Sequence, residues 1–547
     1  MAPVPSTEMP SAPVNVPREV TARQDVYVRQ SSGLVRTVGP RTALIANLVG
    51  MGIIVNFFWI VFASAGYPNA NLVTTVGIGV LINVGVGFVY WMLASAMPRS
   101  GGDYVFVGRI FHPSIGFATN LVFTVVFITW AGYFAYYFAV FGLPMMFTAW
   151  AIAGGGGNAA AWSNTITSSL NLQFEIGAII LIAVILISLL PTKWIFRTTI
   201  GIFAVTAVIY VIMIGLMLTT SQGTFQAHYD AINGVGAYAS VASASSGADS
   251  ITVSGTFLGI VFTMLSFIGY ANSSYYGGEI RGNATRTQGL AIFGAPLIFA
   301  ALIAILYQTT YDTFGRAFII GSAFNWFGAG TPFAATPSPL VLAAYLISNP
   351  YLAAFLAFGL PLTFFAFSLI YFIVPTRNLF AWSFDRILPS AFTRVSKSGV
   401  PFVTVLLLAI ASFVALWAGV YENIFAYLSY SNFGFWFAVG IVCLAGALFP
   451  FLRKELFAKA PRIVRARVGV VPVITIVGVA SWIAAWFVSY AASTGQYIEP
   501  TGPYNYFYLL FLPIVFGIGL LIYGISWAIQ RSRGVPIELI GKELPPD

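Results

Sequence analysis

Two stretches carry residue types whose spacing can do chemistry. The first reads Asn47-Leu-Val-Gly50-Met51-Gly52-Ile53-Ile-Val-Asn56. The second reads Ser266-Phe267-Ile-Gly269-Tyr-Ala-Asn272-Ser-Ser-Tyr-Tyr-Gly-Gly-Glu279. Closely spaced glycines let a helix unwind, and neighbouring Asn and Ser side chains can satisfy the amides and carbonyls set free. A half-helix N-terminus presents free N–H groups and a partial positive charge, so it can hold a carboxylate without an arginine. Carbonyl ends opposite it can hold an ammonium. That is the chemistry of gripping a zwitterion, not of breaking a bond. Glycines at this spacing have a second use, a surface where helices pack closely. Glycine count alone leaves both readings open.

The rest of the inventory offers little else. Cys443 is the single cysteine, which excludes an intrachain disulfide or thiolate cluster. His112 and His228 are far apart, and no HExxH or Walker-type lysine motif is present. We assign no catalytic residue, no metal ligand and no enzyme activity. The composition agrees. Of 547 residues, 59% are hydrophobic and 7% charged, against about 25% charged in a soluble domain. The 25 Lys and Arg and 16 Asp and Glu are too few to cover a soluble surface. A soluble enzyme, a nucleic-acid binder and a disordered protein are excluded.

The elements that must position the two stretches are membrane helices. Twelve apolar runs approach the ~20 residues that span a ~30 Å hydrocarbon core: roughly 43–66, 72–97, 115–148, 174–190, 199–219, 255–279, 287–311, 351–374, 402–420, 423–449, 470–491 and 506–529. Their unbroken apolarity predicts an all-α polytopic protein and not a barrel. Residues 1–40 are polar and Pro-rich, a disordered tail without the apolar core of a leader, and 531–547 form a second tail. With both tails in the cytoplasm, 24 of the 25 Lys and Arg fall on the inner face; Arg316 is the exception. Ten acidic groups on that face leave it at +14, and six on the other leave it at −5. This predicts a multi-pass cell-membrane protein with both termini inside. Glu175, Glu279 and Glu422 all fall at predicted helix ends, so no ionisable group marks mid-membrane. The Gly-, Ala-, Ser- and Asn-rich loops 149–173 and 220–254 are expected to be mobile. Residues 331–350, around Leu340–Ile347, read either as a short helix over the outer vestibule or as an irregular loop.

The two glycine stretches fall in the first and sixth runs, equivalent members of two five-helix halves, 41–220 and 221–450, with two further helices in 451–530. Five is odd, so the second half enters from the opposite side, an inverted repeat. Interrupted helices at matching positions of such halves point to a transporter site.

Four motifs then resemble the amino acid–polyamine–organocation superfamily of permeases. Gly50-Met51-Gly52 is similar to its GSG turn. Met97-Pro-Arg-Ser-Gly-Gly-Asp-Tyr-Val-Phe-Val-Gly-Arg109, with Pro113 and Gly116-Phe117, is similar to PRSGGEYVY…R…GP..GF. Ser266-Phe-Ile-Gly-Tyr through Gly278-Glu279-Ile-Arg-Gly-Asn283 and Arg286 resembles SFIGF…EEIKNP..R. Arg377-Asn-Leu-Phe-Ala-Trp-Ser-Phe-Asp385-Arg-Ile-Leu-Pro389, then Lys397-Ser-Gly-Val-Pro401, resembles SR.LYAMARDG.LP…K.G.P. The resemblance implies a LeuT-like fold with alternating access. It implies that the amides of Met51, Gly52 and Ile53 hold the substrate carboxylate, and that the carbonyls of Leu265, Ser266, Phe267 and Gly269 hold its amine. Asn47 matches a polar position one turn earlier. Val126 and Trp130 on the third helix and Thr363 and Phe364 on the eighth complete the implied site, with Trp130, Phe267 and Phe364 as candidate gates.

The departures from the family pattern also count. Leu265 stands where acid-resistance exchangers have tryptophan, and Ala271 where they have glutamate. Thr206 stands where proton-coupled relatives carry lysine. Thr206 with Thr363 or Ser368 forms a candidate oxygen-lined Na⁺ site, against the plainer use of hydroxyls bonded to their own helix carbonyls. The expected function is secondary transport of amino acids, neutral or apolar for want of a pocket charge, with Na⁺ or H⁺ as candidate coupling ion and no cofactor. A polyamine or basic amino acid exchanger and a non-transporting nutrient sensor are the alternatives. The expected partners are the small-molecule amino acid and the lipid bilayer, with no nucleic acid, in a monomer or homodimer.

Overall fold

A computed structural model describes residues 38–328, 335–393, 400–422, 425–494, 507–535 and 537. The expected N-terminal tail lies outside the described residues except for its last three. So do Pro332, Arg394, Lys397 and most of the C-terminal tail.

Among the described residues, eleven helical stretches are long and apolar enough to cross a membrane. The first, Pro40–Gly66, is two helices, α1 (Pro40–Met51) and α2 (Asn56–Gly66). Pro40 starts α1 at the position where its missing N–H is not needed. α3 (Leu72–Ala96) is capped by the Asn71 side chain. The short α4 (Asp103–Ile110) and the long α5 (Pro113–Tyr137) follow. A π-turn, Phe138–Gly142, carries α5 on into Leu143–Ile152. A second π-turn, Leu290–Gly294, interrupts Ala284–Phe314 in the same way. In both, a proline (Pro144, Pro296) sits just beyond the wide turn, where a donor to the preceding turn is lost.

The sixth expected span, 255–279, is shorter than its apolar run. It forms a 14-residue helix, Val253–Ser266, followed by turns and the 3-10 segments Asn272–Tyr275 and Gly277–Glu279. Gly269 at φ +114° cannot continue a right-handed helix, so the apolar run outlasts the helix. The Gly-, Ala-, Ser- and Asn-rich loops hold helices: Asn158–Ser168, Gln222–Asn233 and Ala237–Ser243. Alanine favours a helix and Ser221 caps the second of these, so a loop-like composition still folds. Around Leu340, a helical turn Pro339–Leu342 continues as 3-10 to Leu346.

Burial sorts the helices. The first stretch is 89% buried over its most apolar window, and Pro113–Ile152 and Pro350–Phe384 are 78% buried. Leu170–Ser188 is 22% buried and Thr192–Thr219 28%. The centre of the bundle is therefore α1, α2, α5 and the Pro350–Phe384 helix, and the sparsely buried helices leave apolar faces for lipid.

Candidate functional site

α1 stops at Met51 because Gly52 turns to φ +66°, a conformation costly for any residue with a Cβ. The Gly52 amide closes back on the Leu48 carbonyl at 3.0 Å. α2 restarts with tight turns, Asn56 N–H donating to Ile53, Phe57 to Ile54 and Phe58 to Val55. Between them, the amides of Ile53, Ile54 and Val55 find no acceptor among the described residues. Three successive free N–H groups at a helix N-terminus form an anion cradle. The Asn56 side chain spans the gap, donating to the Gly52 carbonyl at 2.9 Å, and the Tyr307 hydroxyl donates to Asn56 Oδ1 at 3.1 Å.

The second break faces the first. A Cβ on Gly269 would lie 2.5 Å from the Gly50 carbonyl carbon, so the two backbones touch. Asn47 crosses between them. Its side-chain oxygen accepts the Ser273 amide at 2.9 Å, and its NH₂ donates to the carbonyls of Tyr270 and Ala291. Gln288 clasps Ser273 from the other side. The carbonyls of Leu265, Phe267 and Gly269 accept the amides of Ile268, Tyr270 and Asn272. The Ile268 carbonyl accepts the Tyr371 hydroxyl at 3.4 Å, and the same hydroxyl donates to the Gly50 carbonyl at 2.8 Å. Asn272 Nδ2 is buried without a hydrogen-bond partner among the described residues and points at Gly50.

Rings fill the space beside the breaks. Tyr371 lies against Phe127, Trp130, Phe134 and Phe367, at centroid distances of 5.1–5.8 Å. Phe364 stacks with Phe134 and meets Phe58 and Tyr137. A Cβ on Gly52 would run into the Phe367 ring and approach Thr363 Cγ2 at 3.2 Å.

At the basic end of the bundle a polar cluster joins α4, α5, the second break and the Pro350–Phe384 helix. Asp103 is fully buried and accepts from Asn120 Nδ2 at 2.9 Å and from the Tyr275 hydroxyl at 2.8 Å. Asn120 Oδ1 accepts from Trp382 Nε1 at 2.8 Å, and Tyr104 donates to Asp385 at 2.6 Å. Burial pushes the Asp103 carboxyl up to about 6, against the hydrogen bonds from Asn120, Tyr275 and its own main-chain amide that pull it down. Arg377 pairs with Glu279 at 3.0 Å.

A family model described as "Amino acid permease" matches residues 42–518, which include both breaks, the ring column and the polar cluster. The chain belongs to the amino acid permease family. It is also similar over 83 residues, at 29% identity, to "Uncharacterized protein 399" of Sulfolobus islandicus rod-shaped virus 1. That match covers 15% of this chain and spans about a fifth of the viral protein, 21% of its length.

Within this permease, the sequence-derived residues fall into groups. Asn47, Gly50, Met51, Gly52, Ile53, Ser266, Gly269 and Asn272 belong to the two facing breaks. Trp130, Phe364 and Thr363 lie in or beside the ring column, and Val126 is buried on α5, the helix that carries Trp130. The Phe267 ring lies elsewhere, against Phe299 and the Gly79 backbone, because the last turn of its helix faces α3 and Ala284–Phe314. Leu265 is half-buried. Thr206 and Thr363 donate to carbonyls of their own helices, and Ser368 donates to the Ala131 carbonyl at 2.7 Å.

Sequence reasoning missed Ile54 and Val55, because the exact residue where a helix restarts is set by hydrogen bonding. It also missed Phe367 and Tyr371. A signal for these was present: Phe364, Phe367 and Tyr371 follow the i, i+3, i+7 spacing of one helix face. Asp103 stood in a quoted motif, but nothing in its neighbours foretold that it is buried.

Proposed function

We propose that this permease is a secondary transporter of amino acids working by alternating access, with neutral or apolar side chains preferred. The observation that carries the reading is the pairing of the two breaks. Free amides at Ile53–Val55 suit a carboxylate, and the carbonyls a few residues away across the Gly50–Gly269 contact suit an ammonium. The rings of Trp130, Phe134, Phe364 and Phe367 border this place, which suits an apolar substrate side chain. The main chain would supply the recognition, and a charged substrate side chain would meet no opposite charge there among the described residues. No step of bond making is invoked, so the reading is of a transporter and not an enzyme. We place the basic end, with both termini, in the cytoplasm, on the +14 against −5 asymmetry of the sequence.

Uptake of labelled leucine, phenylalanine, alanine, arginine and glutamate into liposomes containing the purified protein tests this. Saturable uptake of leucine or phenylalanine, lost in Gly52→Leu, is the expected result. No uptake or exchange across the panel, with Gly52→Leu indistinguishable from the unaltered protein, overturns it.

A further inference from the structure

Tyr371 is 3% exposed and sits in the middle of the ring column, where an apolar side chain would serve packing equally well. Its hydroxyl is what distinguishes it. It donates to the Gly50 carbonyl at 2.8 Å and reaches the Ile268 carbonyl at 3.4 Å, 321 and 103 residues away in the chain. Both oxygens lie where a helix has stopped, and among the described residues no backbone amide donates to either. One hydroxyl has one proton to share between two acceptors. The pair is therefore underfilled, and a group with three N–H donors would fill it better.

We propose that the Tyr371 hydroxyl is a resident stand-in for the substrate's ammonium, displaced from the Gly50 and Ile268 carbonyls when an amino acid binds. This rests on the amino acid reading above and deepens it. The acceptor pair combines one carbonyl from each break, so an ammonium seated there ties the two breaks together as Tyr371 does in its absence. In the unliganded protein the phenol satisfies buried carbonyls that would otherwise stand unpaired. The exchange is then one of hydrogen bonds for charge-assisted hydrogen bonds, which are the stronger kind. Pro375, four residues beyond Tyr371, has no N–H to give the Tyr371 carbonyl. The helix is loosened at the turn that must let the phenol withdraw.

A stand-in and a structural strut predict opposite signs. Equilibrium binding to purified protein is measured for L-leucine and L-phenylalanine and for their deaminated counterparts, 4-methylpentanoate and 3-phenylpropanoate. In Tyr371→Phe the competitor is gone, so the amino acids should bind roughly three- to tenfold tighter, the net worth of one hydrogen bond. The deaminated acids, which do not claim the carbonyls, should not change. Phe367→Leu, in the same column without a hydroxyl, should shift both ligand classes together. Melting temperatures of both variants report whether the fold is retained. Weaker or unaltered amino acid binding in Tyr371→Phe, or an equal shift for both ligand classes, overturns the proposal and leaves the transport reading intact. Absence of amino acid binding to the unaltered protein overturns the transport reading, and the proposal with it.

Discussion

Arg377 meets Glu279 side on, Nε to Oε1 at 3.0 Å and Nη2 to Oε2 at 3.4 Å, although 98 residues separate them. Glu279 is 1% exposed and Arg377 8%. The pair fastens the segment after the second break to the Pro350–Phe384 helix. Arg377 Nη1 also donates to Thr376 Oγ1 at 2.9 Å.

Removing one partner strands the other as a buried charge. Arg377→Met or Glu279→Gln should lower stability by about 3–5 kcal/mol, whereas Arg377→Met with Glu279→Leu should recover most of the loss. Thermal unfolding in detergent checks this. A double variant whose loss equals the sum of the two single losses would show that the pair is not coupled.

Gly269→Ala should be far more damaging than an alanine in open space. The new Cβ would lie 2.5 Å from main-chain carbon, which cannot step aside, and φ +114° would be strained as well. Gly77→Ala, with nothing within 4 Å of the new Cβ, should stay within about 1 kcal/mol of the original or gain slightly. Comparable melting temperatures for the two variants would contradict the close contact of the breaks.

Gly52→Ala meets a side chain and not a backbone, the ring of Phe367. Gly52→Ala should lose substrate uptake. Adding Phe367→Leu should restore part of it, because the ring is withdrawn while the φ strain of about 1–2 kcal/mol and the 3.2 Å approach to Thr363 Cγ2 remain. Equal inactivity of the single and double variants would mean that Phe367 is not the obstacle.

Asp103 gives stability a pH dependence of unusual sign. Its folded value of about 6 lies above the ordinary 3.8, so the folded protein holds its proton more tightly than the unfolded chain. That contribution is fully present below about pH 4 and is lost as pH rises through about 6. The shift corresponds to something on the order of 3 kcal/mol. Asp103→Asn has no such proton. The melting temperature of the unaltered protein minus that of Asp103→Asn should therefore fall between pH 4 and pH 6 and level off above. A difference that stays constant across this range would argue against a protonated, buried Asp103.

Much of this was legible in order along the chain. Apolar run length gave eleven membrane-length helical stretches directly, and the sixth run, 255–279, was seen but its helix ends early at Ser266. The glycines at 50, 52 and 269 located both interruptions, because backbone freedom is a local property of residue type. The sequence could not show that Gly269 rests on Gly50, since contact between residues 219 apart depends on how whole helices pack. Nor could it orient Phe267, whose type suits a gate but whose ring turns toward Phe299 and the Gly79 backbone.

By itself, then, the sequence determined which segments enter the membrane, where two helices cannot continue, and that few charges are available to a site between them. These follow from transfer free energy and backbone sterics, which act residue by residue. Only the tertiary structure decided which atoms those breaks present to each other. It placed the Tyr371 hydroxyl on two carbonyls, left the Ile53–Val55 amides without acceptors among the described residues, and buried Asp103 between Asn120 and Tyr275. A hydrogen bond forms or fails over a few tenths of an ångström, and that precision comes from packing distant helices together.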